Sequence, residues 1–150
     1  VMYNVNLSKG IFSGPPAIVW GIIKTLKDLG ETPVTLELDG KVKTEKAQGV
    51  FILNTVYAGG GLKLSPEADY RDGLLDVLVM RDMSRLEVMN VLPKVYTGDH
   101  LGHQKVDFYR VREVKVYSEP AVRKLFDGNI IGTTPVRAKI FAKPLKVIVS

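Results

Sequence analysis

Residues 54–79, NTVYAGGGLKLSPEADYRDGLLDVLV, constrain this chain more than any other stretch. An apolar segment runs into three consecutive glycines, a proline loop, an Asp-Gly pair and a second apolar segment. Residues 49–57 (GVFILNTVY) and 74–80 (LLDVLVM) are rich in β-branched and aromatic types, which predicts two buried strands. The connection between them is not ordinary turn chemistry. Gly59, Gly60 and Gly61 permit positive φ and close backbone approach, and Pro66 and Gly73 bracket a loop holding Asp69 and Asp72. A tight hairpin closes with two residues, whereas long ordered loops between strands commonly carry function. Carboxylates beside free backbone carbonyls are the oxygen set that a hard cation such as Mg²⁺ takes.

The other segments read as scaffold for this stretch. Pro15 and Pro16 precede a broad apolar face (Ala17, Ile18, Trp20, Ile22, Ile23, Leu26, Leu29) that Gly30 ends, predicting a helix over 15–29. Val34, Leu36 and Leu38 alternate with polar residues before Asp39-Gly40, the pattern of a hairpin. Ser84 and Glu87 form a capping-box pair opening a second helix, with Leu86, Met89, Val91, Leu92 and Val95 predicted to face inward and Pro93 to kink it or move its start. Residues 97–104 are polar and Gly-punctuated, a loop. Five short β segments follow at 105–109, 112–118, 121–126, 136–141 and 145–149. The fold class is therefore mainly β (α+β): a β-sandwich of many short antiparallel strands with two accessory helices, as one domain over 1–150.

Composition narrows the function. No apolar run reaches the ~20 residues that span a bilayer, and no signal-like segment is present, so the chain reads as soluble. The absence of cysteine excludes disulfides and thiolate metal sites and fits a cytoplasmic protein. The formal net charge of +5 is scattered rather than gathered into a stripe interleaved with aromatics, so nucleic acid is not an expected partner. Basic residues offer attraction to anionic lipid headgroups instead. His100 and His103 have a metal-pair spacing, but no third ligand is near in sequence and structural zinc takes four, so they read as part of a surface loop. No G-x-S-x-G, Walker loop or G-x-G-x-x-G is present.

The spacing of Gly59 to Gly61, Pro66, Ala68, Asp72, Gly73, Leu74 and Asp76 resembles the signature of the C-terminal domain of bacterial diacylglycerol kinase-like lipid kinases, within the superfamily that includes sphingosine and NAD kinases. Similarity runs over roughly 14–150, with Asp127-Gly128 and the closing segments resembling the family's D-G-E turn and final strands. NAD kinase itself is a weaker match, because the Pro-x-Ala-x-x-x-Asp-Gly arrangement fits the lipid kinases better.

The resemblance implies two lobes with the active site between them. An N-terminal lobe with a G-G-D-G-T nucleotide loop is absent here, and this chain is the C-terminal sandwich. It implies ATP, bound mainly by the missing lobe with Gly59, Gly60 and Gly61 as cofactor-binding positions here, and Mg²⁺ on Asp72 with oxygens from Asp69 and Leu74. A turn-capping role for Asp72 is the alternative. The implied reaction phosphorylates the hydroxyl of diacylglycerol or a related lipid, at a membrane surface to which the cytoplasmic protein binds peripherally. A homodimer is left open. One position departs from the family. Where its D-G-E glutamate is the general base, this chain has Asn129, and an amide does not accept a proton as a carboxylate does. Asp127 and Asn129 are thus the catalytic positions, and a catalytically silent lipid-binding or interaction module is the alternative function.

Overall fold

The computed structural model describes residues 30–59 and 61–141. The helix expected over 15–29 and the strand expected over 145–149 lie outside them.

Among the described residues nine strands form three antiparallel sheets. The first sheet has the order β2-β1-β6-β9, from β1 (Thr32–Leu38), β2 (Lys41–Ala47), β6 (Glu113–Ser118) and β9 (Val136–Lys139). The second has the order β3-β4-β5, from β3 (Gly49–Leu53), β4 (Leu75–Met80) and β5 (Val106–Val111). A separate ribbon pairs β7 (Arg123–Phe126) with β8 (Asn129–Thr133). The β1–β2 turn falls at the expected Asp39-Gly40, both at positive φ (47° and 84°), as a two-residue hairpin demands. Asp39 also accepts from the backbone N–H groups of Arg112 and Glu113 at 3.0 and 2.8 Å, tying the turn to the start of β6.

The first two sheets face each other across one core. Val34, Leu36 and Leu38 of β1 and Val114 and Val116 of β6 meet Leu75, Val77 and Val79 of β4. Strand alternation sends the other β4 side chains to the opposite face. There Leu78 joins Leu62, Met83, Val91, Val95 and Val106 in a second core under the helix α1 (Arg85–Thr97). Buried on both faces, β4 reads as an unbroken apolar run except at Asp76. By contrast β3, expected to be buried and to reach Tyr57, is a half-buried edge strand ending at Leu53, with Phe51 exposed.

The capping box of α1 forms as expected: Ser84 Oγ accepts from Glu87 N, and Glu87 accepts from Ser84 N. Lys105 Nζ also lies 2.9 Å from Glu87, and this bond, with those to Ser84, holds the Glu87 carboxyl down to about 2. The inward face is narrower than expected. Val91 and Val95 are buried, but Leu86 and Met89 are 73% and 51% exposed. Met89 lies about 200° around the helix from Val91, so packing on the second core turns it to solvent. Pro93 sits inside the helix without moving its start and supplies no N–H to the carbonyl of Met89 four residues before it.

Residues 99–102 form a 3-10 turn rather than open loop, and His100 in it is buried rather than on the surface. Its Nε2 lies 3.1 Å from the Leu64 carbonyl, and burial lowers its pKa from the ordinary 6.5, against the opposing carbonyls of Leu64 and Lys94.

Two measurements test this account. Leu36 is wholly buried between the sheets, so Leu36→Ala should cost about 2–5 kcal/mol in urea unfolding, and Val42→Ala on the exposed face of β2 under about 1. His100 has a depressed folded pKa, so between that value and 6.5 the unfolded chain binds more protons. The stability linked to its neutrality is full above 6.5 and declines as pH falls below it. His100→Gln should flatten the change in urea midpoint between about pH 7.5 and about pH 5.5; an unaltered slope would assign the sensitivity elsewhere.

Candidate functional site

The connection over 54–74 is held at several points along its length. Ala58 and Leu62 bridge across the glycines, with Gly59 and Gly61 at φ 42° and 92°. Leu62 plugs the second core, Lys63 N donates to Val95 O at 2.9 Å, and His100 holds the Leu64 carbonyl. Gly98, the αL cap of α1, lies so close to Pro66 that a Cβ there would stand 2.6 Å from its Cγ, so helix end and loop meet through a glycine. Beyond Pro66 two side chains fold back on their own backbone: Asp69 Oδ1 accepts from Arg71 N at 2.9 Å, and Asp72 Oδ1 from Leu74 N at 2.8 Å. Asp72 thus does cap the turn, as the alternative reading expects. Its second carboxylate oxygen remains for other work.

That oxygen meets Arg110 Nη2. Arg110 stands opposite Asp76 in the β4–β5 register, and its Nε reaches Asp76 Oδ1 at 3.2 Å. Asp76 is 2% exposed and on the loop-facing side of β4; its other oxygen accepts from the fully buried Ser65 Oγ at 2.7 Å. Ser65, Asp76, Arg110 and Asp72 therefore form one chain of charge-assisted bonds from the sheet interior to the loop surface. A buried carboxylate is tolerated only when paired, and removing one partner of such a pair typically costs ~3–5 kcal/mol.

For a hard cation Asp69, Asp72 and Leu74 offer one carboxylate whose two oxygens accept from Leu74 N and Arg110 Nη2, the Asp69 carbonyl, which accepts from Asp72 N at 3.1 Å, and the Leu74 carbonyl outside the β4 strand. Among the described residues no group of three or more acidic, His or Cys side chains has metal-binding geometry, so backbone carbonyls would complete any such site. Arg110 shares the carboxylate a cation would use.

The other expected positions lie elsewhere. Asp127 (φ 44°) and Gly128 form the β7–β8 turn, and Asn129 opens β8 opposite Phe126. Asn129 Nδ2 lies 3.5 Å from Asp127 O, and no hydrogen bond or ion pair among the described residues joins this turn to the Asp72 network. Sequence reasoning gave no role to Ser65 or Arg110 and none beyond spacing to Asp76. A charge inside the apolar run LLDVLVM is the signal that would have flagged Asp76; its pairing with Arg110 depends on strand register.

Comparison with known proteins gives concordant results. Residues 7–149 match the YegS C-terminal NAD kinase beta sandwich-like domain. A diacylglycerol kinase of Mycobacterium tuberculosis (strain ATCC 25618 / H37Rv) is 32% identical over 127 residues, covering 82% of this chain and 39% of that protein. One of Bacillus subtilis (strain 168) is 26% identical over 113 residues, 75% of this chain and 37% of that protein. The chain thus spans well under half the length of these relatives. The crystal structure of a candidate diacylglycerol kinase from Bacillus anthracis str. Sterne superposes with TM-score 0.64 at 18% identity, over 81% of this chain and 40% of that one, a likeness of fold. With the matched domain covering nearly its whole length, this chain belongs to the YegS C-terminal NAD kinase beta sandwich-like domain family.

Proposed function

We propose that this chain is the C-terminal lobe of an ATP-dependent lipid kinase that phosphorylates the hydroxyl of diacylglycerol or a related lipid. The observation that carries the reading is the 54–79 signature, whose loop is pinned by the Ser65–Asp76–Arg110 bonds so that Asp72 is presented at the surface. Phosphoryl transfer is mostly positioning and electrostatics, which rewards such a fixed loop. The chain has no phosphate-cradling motif, so the nucleotide belongs to a preceding lobe, with Gly59 to Gly61 approaching it from this side. Asp72, with carbonyls of Asp69 and Leu74, would hold Mg²⁺, and the ion would supply positive charge that orders the loop and faces the phosphates. No described helix is long and apolar enough to cross a membrane, and the proposed lipid contact is peripheral from the cytoplasmic side.

Asn129 favours a second reading, a catalytically silent module that binds a lipid or a protein partner, because the proton of the attacking hydroxyl lacks its usual acceptor there.

Two experiments divide these readings. Calorimetric titration with Mg²⁺ should show a site in the wild type that Asp72→Ala loses, with circular dichroism confirming that the variant folds. Equal binding by both would remove the metal assignment. Joined to a family nucleotide lobe and assayed on short-chain diacylglycerol, the chain should be a weak kinase, and Asn129→Glu should raise kcat by roughly 10²-fold with little change in KM for ATP. No gain from Asn129→Glu together with abolition by Asp127→Asn would move the base to Asp127, and no turnover in any form would favour the silent module.

A further inference from the structure

We infer that the β7–β8 ribbon is the surface by which this lobe docks on an anionic lipid bilayer, with the Phe126–Ile131 face laid against the membrane. The inference deepens the lipid-kinase reading and rests on it for the choice of a lipid partner. Leu125, Phe126, Ile130 and Ile131 are 48%, 65%, 47% and 53% exposed, and every residue of β8 is exposed. None of them belongs to either core. The ribbon is fastened at its base, where Thr134 N donates to Val122 O at 2.8 Å, Val122 N to Thr134 Oγ1 at 3.1 Å, and the Ser118 and Thr134 hydroxyls meet at 2.6 Å. A two-stranded ribbon alone is marginal in water, and four large apolar side chains clustered on one is more than the scattered exposure of ordinary surfaces.

Strand register sorts these side chains. Leu125 pairs with Ile130 and Arg123 with Thr133, and Arg123 stands two residues from Leu125, so Leu125, Ile130 and Arg123 share one face. Phe126 pairs with Asn129, so alternation puts Phe126, Asn129, Ile131 and Lys124 on the other face, where the register shift between Arg123 and Leu125 sets Lys124 opposite Ile131 and Gly132, its Cε 3.7 Å from where a Gly132 Cβ would stand. Each face is thus apolar toward the turn and basic toward the base. On the face laid against the membrane Lys124 stands two residues of strand from Phe126, about 7 Å, and interfacial elements enter the headgroup and acyl boundary by ~5–10 Å. At that depth Lys124 meets lipid phosphates while the Phe126 ring and Ile131 meet acyl carbon, and Arg123 reaches toward the phosphates from the ribbon's other face. Asp127 at the turn excludes end-on penetration, because a carboxylate at hydrocarbon depth is costly. The ribbon lies along the surface, which leaves the uncharged Asn129 beside Phe126 at the level of lipid hydroxyls. The neighbouring β9 adds Arg137 and Lys139, though Glu113 engages them at 2.8 and 3.5 Å.

The test is sedimentation of the 150-residue chain with vesicles of phosphatidylcholine alone or mixed equally with phosphatidylglycerol. Wild type should bind the mixed vesicles far more tightly than the neutral ones. Phe126→Ser with Ile131→Ser should weaken binding at least tenfold, and Arg123→Gln with Lys124→Gln about 25-fold, at about fivefold per basic residue. Since the ribbon lies outside both cores, neither pair should move the melting temperature much. If a variant does not fold, Phe126→Trp supplies the readout: its emission should shift to the blue on adding mixed vesicles, beyond any change in wild type. No binding by wild type, unchanged binding by the variants or no shift in Phe126→Trp would overturn the inference. So would self-association of wild type that the Phe126/Ile131 variant abolishes, which assigns the ribbon to a second copy. None of these readouts requires turnover, so the inference fails separately from the kinase reading, which the short-chain assay tests without a bilayer.

Discussion

The carboxylate of Asp76 is the point on which the site depends. β4 lies between two apolar layers, and a charge there is stable only because Ser65 supplies one hydrogen bond and Arg110 another. Each partner does a second job. Ser65 brings the descending half of the loop against the sheet, its N–H also donating to Val56 O at 3.3 Å, and Arg110 carries the bond outward to Asp72. A neutral residue at position 76 would relieve the desolvation cost and at once free both. The charge therefore does less for stability than for specificity: it selects one loop placement among those the glycines and prolines would allow.

What was legible in the sequence was what is decided locally. The Asp39-Gly40 hairpin follows from two residues that tolerate positive φ, and the helix start from a reciprocal Ser84–Glu87 pair three residues apart. The sandwich follows from alternation in β1 and from the continuous apolar run of β4. Tertiary context decided the remainder. Leu86 and Met89 look like core by composition, yet α1 meets the second core through Val88, Val91 and Val95. The β branching of residues 54–57 suggests a longer β3, yet Val56 bonds to Ser65 in the loop instead of continuing the ladder. Residues 129–133 carry little strand signal, because NIIGT is short and contains a glycine, and pairing with β7 makes them a strand. The network had the same fate: Asp72 was visible through its motif, whereas Arg110, 38 positions away, becomes its neighbour through β4–β5 register.

The two candidate regions differ in how they are held, and that difference bears on function. The Asp72 loop is fixed through Leu62, Ser65, His100 and Arg110, so it suits a role that needs fixed geometry. The Asp127–Asn129 turn sits at the end of a ribbon fastened at its base by Thr134, so it suits contact with a surface that varies.

This division also explains how a lobe could retain lipid contact while losing a base. Phe126, Ile130 and Ile131 owe their exposure to the ribbon's pairing and not to the identity of residue 129, whose side chain reaches only toward the Asp127 carbonyl. Replacing a carboxylate by an amide at that point removes a proton acceptor and also removes a negative charge from the face that would approach anionic phosphates. On the proposed reading the exchange would weaken chemistry and strengthen attachment. Asp127 keeps a carboxylate at the turn, one residue beyond Phe126 and at positive φ, between the paired Phe126 and Asn129. Asp127 is the one carboxylate of this turn, so on the proposed reading the position of the lipid headgroup along the ribbon would decide whether its hydroxyl comes within reach of a proton acceptor at all.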